Sequence, residues 1–376
     1  MNRRILIVDD MQVNRILIRA LLEKSLAGLE FHQAVNGFQA LHLLKITEID
    51  LIILDLMMPE MDGFQFLQAV KAEPAWRDIP VIINSALGDT EYVEHALSEG
   101  ALDYFTKPLT SDQMKIVLPL KVKNALDYYE QKKELAHWKR KLSEELKIAG
   151  VLQNSLLFEF KATDEARFYG RYLPSREIGG DFYDAVQIDG STWFIIADVT
   201  GNGVAAALVA AMIKASFFQM CQRASSPEEV LNKLNQFFLE TARLENPLIL
   251  SAFVGMIRNR TMTYANAGHP YPVIWRKASL NAALLEQNGF LIGAVPVPDY
   301  DKWVVSLEAG DIIITYTDGL FINQKVRNWD QFLAYVQNRQ NLLFHNPQEF
   351  MSQVLSDRED GNEATDDLAL MAITIK

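Results

Sequence analysis

The chain has 376 residues, 49% of them hydrophobic, with 36 Lys+Arg against 48 Asp+Glu and a formal net charge of −12. That length exceeds one ordinary domain and that apolar share fills real cores, so two domains are the starting expectation. The acidic balance argues against nucleic acid, whose phosphates recruit basic faces, and the single cysteine, Cys221, excludes an intrachain disulfide or a Cys-based zinc site and fits a reducing cytoplasm.

The N-terminal apolar stretch is only four residues before Asp9 and Asp10, too short for a signal sequence. No run of about 18 apolar residues stands out, so no membrane span is expected. From the start to about residue 122, strand-like and helix-like patterns alternate. "RRILIVDD" (3–10), "LEFHQAV" (29–35), "DLIILDL" (50–56), "PVIINSA" (80–86) and "DYFTK" (103–107) read as strands, with helical spacing between them. "ILIV", "LIIL" and "VII" are apolar at consecutive positions, as strands buried on both faces are. The expectation is an α/β doubly wound, five-stranded parallel sheet. Ligands of such sheets sit at the carboxyl ends of the strands, and Asp9, Asp10, Asp55 and Ser85 all fall there.

Thr110 to Gln113 has capping-box spacing, which predicts a helix start, and Pro119 predicts a kink. Residues 120–149 contain neither Gly nor Pro and are dense in charges of both signs. Leu135, Leu142, Ala149 and Leu156 recur every seven residues, near Trp138 and Leu146. The segment reads either as a solvated helical connector or as a short coiled coil that dimerises the chain, with Lys132 and Glu145 interrupting the seam. The domain boundaries expected are 1–122, a helical linker at 123–158, and 159–376.

Beyond the linker the chain turns strand-rich, in "ARFYGRYL" (166–173), "GGDFYDAVQI" (179–188), "STWFIIADV" (191–199), "LILSAFVGMIR" (248–258), "TMTYANAG" (261–268), "PYPVIWR" (270–276), "DIIITYTD" (311–318) and "LALMAITI" (368–375). Two helical stretches, 204–220 and 226–242, follow one another in the middle, and two more lie near the C-terminus. Runs of strands separated from runs of helices predict an α+β domain, a β-sandwich flanked by helices.

Two sets of carboxylates carry the chemistry. Asp9, Asp10 and Asp55 would converge on one sheet edge and repel one another unless a cation sits among them. Oxygen-only ligands in a small site favour magnesium. Lys107 could pair with Asp55 or with a phosphoryl group on it, and Ser85 offers a hydroxyl nearby. Metal and lysine together would neutralise an incoming phosphoryl group and make the carboxylate a phosphate acceptor.

In the second half, Asp181, Asp198, Asp318 and the pair Asp366 and Asp367 all stand at strand ends. A binuclear site uses such a set, because two metals a few ångströms apart activate a water and clamp a phosphoryl oxygen. "TGNGVAA" (200–206) fits a dinucleotide fingerprint, but the region about 20 residues on is helical and lacks the required acid. The glycines there fit a tight backbone turn beside a metal better. No Ser-His-Asp order or cysteine nucleophile competes, and His269 reads as structural.

"LIVDD", "LDLMMPEMDG", "NSALGD" and "DYFTKPL" resemble, in order and spacing, the response-regulator receiver domain. The resemblance implies Asp55 as the phosphorylation site, and Asp9, Asp10, Asp55 and the Met57 carbonyl around one magnesium ion. It also implies Ser85 and Tyr104 as a switch pair, Lys107 as phosphate partner, and a cis Lys107–Pro108 peptide. "ELKIAGVLQNSLL", "GGDFYD", "ADVTGNGVAAAL", "NAGHPYP", "LIGA", "GDIIITYTDGL" and "TDDLALMAI" resemble the metal-dependent serine/threonine phosphatases of the PPM superfamily, in their bacterial sporulation and stress branch. That resemblance implies two manganese or magnesium ions, with Asp198 bridging them, Asp181 and the Val199 carbonyl on one, and Asp318 and Asp366 on the other. "FINQ" after "TDGL" departs from the polar or acidic residues usual there, which bears on substrate contacts. Together the resemblances imply a two-component regulator; the cysteine usage puts it in the cytoplasm, and the coiled-coil reading of the linker makes it a homodimer. Its partners would be a sensor histidine kinase and a phosphorylated anti-sigma-factor antagonist. The rival reading is a non-catalytic adaptor or partner-switch scaffold.

Overall fold

The computed structural model describes residues 3–86, 90–107, 113–201, 203–241, 249–322, 328–359 and 366–376. The chain divides into two compact units, Met1–Lys141 and Leu142–Lys376.

In the first unit, β1 (Arg3–Val8), β2 (Leu29–Ala34), β3 (Leu51–Asp55), β4 (Val81–Ala86) and β5 (Asp103–Lys107) form a parallel sheet in the order β2-β1-β3-β4-β5. Helices α1 (Gln12–Ser25), α2 (Gly37–Ile46), α3 (Gly63–Ala72) and α4 (Thr90–Ser98) alternate with the strands. The consecutive apolar runs serve both faces. Leu6, Val8, Ile52 and Leu54 pack on one side of the sheet and Ile5, Ile7, Leu51 and Ile53 on the other. Local signals fix the helix starts: Asn36 caps α2, and Asp62 with Gln65 forms a capping box on α3. The chain leaves β1 for β2 on one side and for β3 on the other. The switch point therefore lies between β1 and β3, where such sheets open their ligand site.

A π-helical turn (Gln113–Val117) leads into α5 (Leu118–Ser155). Thr110, the proposed capping residue, lies outside the described residues. Pro119 is the second residue of α5 and lacks the N–H that would continue the ladder, so the change of hydrogen-bond register falls next to it. Leu118, Val122, Ala125 and Leu126 pack on the sheet, and Arg3 pairs with Asp127 (2.8 Å) and Glu130 (2.6 Å). Beyond that the apolar seam residues face solvent: Leu135 is 58% exposed, Trp138 58% and Leu142 57%. Leu156 falls just past the helix end.

In the second unit, β6 (Phe160–Ala162), β7 (Ala166–Leu173), β8 (Phe182–Ile188) and β9 (Ser191–Val199) precede α6 (Val204–Gln222) and α7 (Pro227–Thr241). Then come β10 (Leu250–Arg258), β11 (Thr261–Ala267), β12 (Val273–Arg276), β13 (Asn281–Leu284), β14 (Trp303–Ser306) and β15 (Ile312–Tyr316). Three helices, α8 (Trp329–Asn338), α9 (Gln340–His345) and α10 (Pro347–Glu359), lead to β16 (Leu368–Ile375). The strands make two antiparallel sheets, β14-β11-β10-β9-β8 and β13-β12-β15-β16-β7-β6. Phe194, Ile196 and Phe253 from the first sheet meet Phe168, Ile313 and Met371 from the second. On the outer faces α6 and α7 cover the first sheet and the α8–α10 group covers the second. The β-sandwich flanked by helices is thus the observed fold.

One helix among the described residues, α6, is long and apolar enough by length and composition to cross a membrane, which the sequence reading did not anticipate. Its Ala206, Ala210, Ile213, Phe217 and Cys221 are buried against the sheet, and Lys214 pairs with Asp184 at 2.6 Å. Those contacts account for one face of the helix, while Val204, Leu208, Met212 and Phe218 on it are exposed.

Candidate functional site

The first site follows from strand order. β1, β3, β4 and β5 are neighbours, and their pairing puts Val8 beside Leu54, Asp55 beside Asn84, and Ala86 beside Lys107. The residues at those carboxyl ends therefore share one edge. Ligand oxygens of Asp9, Asp10 and Asp55 all lie within 4.8 Å of one another. Lys107 Nζ stands 2.7 Å from Asp55 Oδ2 and 3.0 Å from Asp9 Oδ2. Burial pushes the Asp55 carboxyl above its usual range; Lys107 pulls it back and Asp9 pushes it further up. Three carboxylates against one ammonium leave negative charge over, which suits a small divalent cation, and the all-oxygen set suits magnesium.

The backbone N–H of Met57 donates to Asp55 Oδ1 at 3.4 Å, so the Met57 backbone adjoins the acceptor. Ser85 is buried at this edge, whereas Tyr104 is 39% exposed with the Lys121 ammonium 5.4 Å from its ring centre. Pro108 and residues 87–89 lie outside the described residues, the Lys107–Pro108 peptide with them. Three supporting residues escaped the sequence reading. Arg15 Nη1 donates to the carbonyls of Asp9 (2.6 Å) and Asp10 (3.1 Å), while Asn14 and Asn84 donate to the Asp9 carboxylate. A signal existed for one of them: Arg15 occupies the core-facing stripe of α1 with Ile18 and Leu22, where an unpaired arginine would not be stable.

The second site lies at the open end of the sandwich. Phe182 pairs with Ala197, and extending that register by one step sets Asp181 opposite Asp198. Tyr316 pairs with Leu370, so Thr317 and Asp318 leave β15 where Asp366 and Asp367 enter β16. Two hydrogen bonds tie the sheets together here. Thr317 Oγ1 donates to Asp181 Oδ2 at 2.6 Å, and Gly180 N–H donates to Asp367 Oδ2 at 2.7 Å. Asp367 also accepts from Ser175 N–H and Oγ, so it is spent on holding the loop that carries Asp181. Asp184, the second carboxylate of "GGDFYD", is likewise engaged, by Lys214.

The carboxylates that remain are electrostatically crowded. Burial, the Asp198 charge and a hydrogen bond shared with Asp198 push Asp181 well above its usual range. Burial and Asp318 lift Asp198 to about 6. Burial and Asp366 raise Asp318. Buried carboxyls pressed together in this way share protons until a cation replaces them. The backbone fits a cation as well. A Cβ on Gly180 would lie 2.6 Å from the Val199 carbonyl oxygen and close it off, so the glycine keeps that oxygen open. Gly201 (φ 90°) and Gly203 (φ 94°) make the turn into α6, a backbone that side chains disfavour. The next element is α7 and the sheet is antiparallel, so no dinucleotide-binding βαβ unit exists here. Asn323 and Gln324 of the "FINQ" departure lie outside the described residues. Gly319, which admits the Asp367 carbonyl where a Cβ would clash at 1.8 Å, was not singled out from sequence.

Comparison with known proteins matches residues 5–118 to the response regulator receiver domain and residues 188–376 to stage II sporulation protein E (SpoIIE). Regulatory protein AtoC of Escherichia coli (strain K12) is 37% identical over 153 residues, 40% of this chain and 31% of that one. Phosphoserine phosphatase RsbU of Bacillus subtilis (strain 168) is 29% identical over 199 residues, 51% of this chain and 58% of that one. The chain thus spans less than two thirds of either relative. The SiaA-PP2C domain of Pseudomonas aeruginosa superposes with a TM-score of 0.54 at 17% identity, covering 64% of this chain and all of that domain, a likeness of fold.

Proposed function

Because the chain belongs to the stage II sporulation protein E family and carries a response-regulator receiver domain ahead of it, we propose that it is a two-component regulator whose output is metal-dependent dephosphorylation of a phosphoserine or phosphothreonine protein. The observation that carries this reading is the Asp181–Asp198 pair. Two facing carboxyls, both raised by burial, sit beside a carbonyl that only a glycine leaves open.

Residues 1–122 act as receiver, 123–158 as linker and 159–376 as phosphatase. Asp55 would take the phosphoryl group from a histidine kinase, and Asp9, Asp10, Asp55 and the Met57 carbonyl would hold the magnesium ion that neutralises charge there. Lys107 neutralises the phosphoryl charge, and Ser85 and Tyr104 respond to it. In the second unit Asp198, shared between them, would hold two manganese or magnesium ions, with Asp181 and the Val199 carbonyl serving one and Asp318 and Asp366 the other. Bound there, divalent ions supply an activated water and charge neutralisation for the phosphoryl group. The protein's part is to hold the carboxylates in place and spaced, which Thr317 and Asp367 serve by fixing the loops of both sheets. RsbU is named a phosphoserine phosphatase; by analogy the substrate here is a partner-switch phosphoprotein of the anti-sigma-factor antagonist kind. The chain works as a cytoplasmic homodimer through the exposed seam of α5.

The test is hydrolysis of p-nitrophenyl phosphate and of a phosphoserine protein with and without manganese. Activity that needs the metal and vanishes in Asp198→Asn supports the reading. Full activity in excess EDTA refutes it, and no hydrolysis of either substrate favours the adaptor.

A further inference from the structure

The first unit holds a cavity of about 450 Å³. Leu44, Ile49 and Ile79, all buried, line it with aliphatic surface. Trp76, from the α3–β4 connection, and Tyr129, from α5, add ring surface. Ile49 and Ile79 stand just before β3 and β4, whereas Asp55 ends β3. At about 3.3 Å per residue the run from Ile49 to Asp55 spans about 20 Å, so the cavity is separate from the receiver carboxylates.

Its walls are pinned. Lys71 Nζ donates to the carbonyls of Arg77 at 3.0 Å and Ile79 at 2.9 Å, which fixes the connection that carries Trp76. Lys132 pairs with Asp78 at 2.7 Å and Lys133 with Asp50 at 3.0 Å, which ties α5 to the connections before β4 and β3. The cavity is therefore preformed. Small-molecule sites typically measure about 300–1,000 Å³ and are likewise apolar with a few fixed polar groups.

The charges at its rim decide what it can hold. Lys133 is spent on Asp50 and on the Tyr129 ring, whose centre is 4.4 Å from its ammonium. Glu48 is paired with Arg4 at 3.2 Å. Lys45, exposed in the last turn of α2, has no carboxylate partner among the described residues. The charge left over is positive. Rings also gain from offset or edge contact with other rings, which favours an aromatic ligand over an aliphatic one of equal size.

We propose that this cavity binds a small aromatic anion, its flat ring against Trp76, Tyr129 and the aliphatic residues and its carboxylate turned to Lys45. Such a ligand rests on α5, the helix that runs on past Lys141. The inference depends on neither carboxylate cluster.

The probe is 2-naphthoate, added to the full-length chain and followed by the indole N–H resonance of Trp76, assigned with Trp76→Phe. That signal should shift saturably. The uncharged 2-naphthamide should bind more weakly by about threefold or more, and Lys45→Glu should weaken 2-naphthoate by a similar factor, the scale of one exposed ion pair. Ala75→Phe, at an exposed position on the cavity wall, should fill the space and abolish the shift. No saturable shift in the low-millimolar range would overturn the inference. So would equal binding of 2-naphthamide, or undiminished binding in Ala75→Phe, which would put the probe elsewhere. A Trp76 signal that moves with protein concentration and not with the probe would also overturn it, and would give the cavity to a second copy of the chain. The wild-type titration and the naphthamide comparison need no variant, so the test stands even if a substitution harms folding.

Discussion

On the metal-site reading proposed above, folding and metal binding pull Asp198 in opposite directions, which gives its substitution a measurable signature. Without metal, the folded protein holds a proton on this carboxyl up to about pH 6, whereas an unperturbed aspartate releases it near 3.8. The folded state then binds more protons than the unfolded one, so stability falls as pH rises from about 4 through 6. Asp198→Asn removes that titration. In EDTA the variant should melt higher than the parent at pH 8 and level with it at pH 3.5, by an amount on the order of 3 kcal/mol at most. With manganese the order reverses, because the parent gains a ligand the variant lacks. Hydrolysis by the variant should fall by more than the roughly 10–100-fold that losing an outer-shell partner of a metal ligand costs, because a proposed ligand itself is removed. Manganese affinity of the parent should also weaken as pH drops below 6, since the ion must displace the shared protons. A melting curve in EDTA indifferent to pH between 4 and 8 would contradict this account.

Strand ends decide both sites, and the same fact governs what the sequence discloses. β7, β9 and β16 are long and mostly apolar, and their limits match the sequence reading residue for residue. β6, β13 and β14 have three or four residues and half-exposed patterns, so no apolar periodicity announces them. The carboxylates were legible because an aspartate after a buried run is anomalous in itself. Thr317 and Asn84 were not, because their roles depend on contacts made 136 and 75 positions away that only the folded chain brings together. The glycines give the element-level test. Gly180→Ala places a methyl 2.6 Å from the Val199 carbonyl oxygen and 3.1 Å from Ala206 Cβ. The strand end must shift, so metal-dependent hydrolysis should drop more than tenfold while the metal-free melting temperature changes by only a few degrees. Gly319→Ala meets backbone at 1.8 Å and should instead lower stability outright, by about 2 kcal/mol or more. Equal effects of the two substitutions on melting would count against the distinction.

The two chemistries occupy separate units, so they should be separable by substitution and joined only through signalling. Asp55→Asn should abolish labelling by acetyl phosphate or occupation by beryllium fluoride, yet leave basal hydrolysis as it was. Asp198→Asn should do the converse. What couples them is testable on α5, which runs through the division between the units with residues 131–142 exposed. Two glycines inserted after Lys141 touch neither carboxylate cluster. They interrupt the helix interior at about 1 kcal/mol per glycine and shift the phase of Leu135 and Trp138 relative to Leu142 and Ala149. If α5 carries the signal, the insertion variant keeps basal hydrolysis and receiver phosphorylation but loses the response of one to the other. If the exposed seam also dimerises the chain, light scattering should record a lower mass in the same variant. Unchanged mass together with an unchanged response would rule out α5 as transmitter, and the signal would then have to pass by direct docking of the receiver on the phosphatase unit.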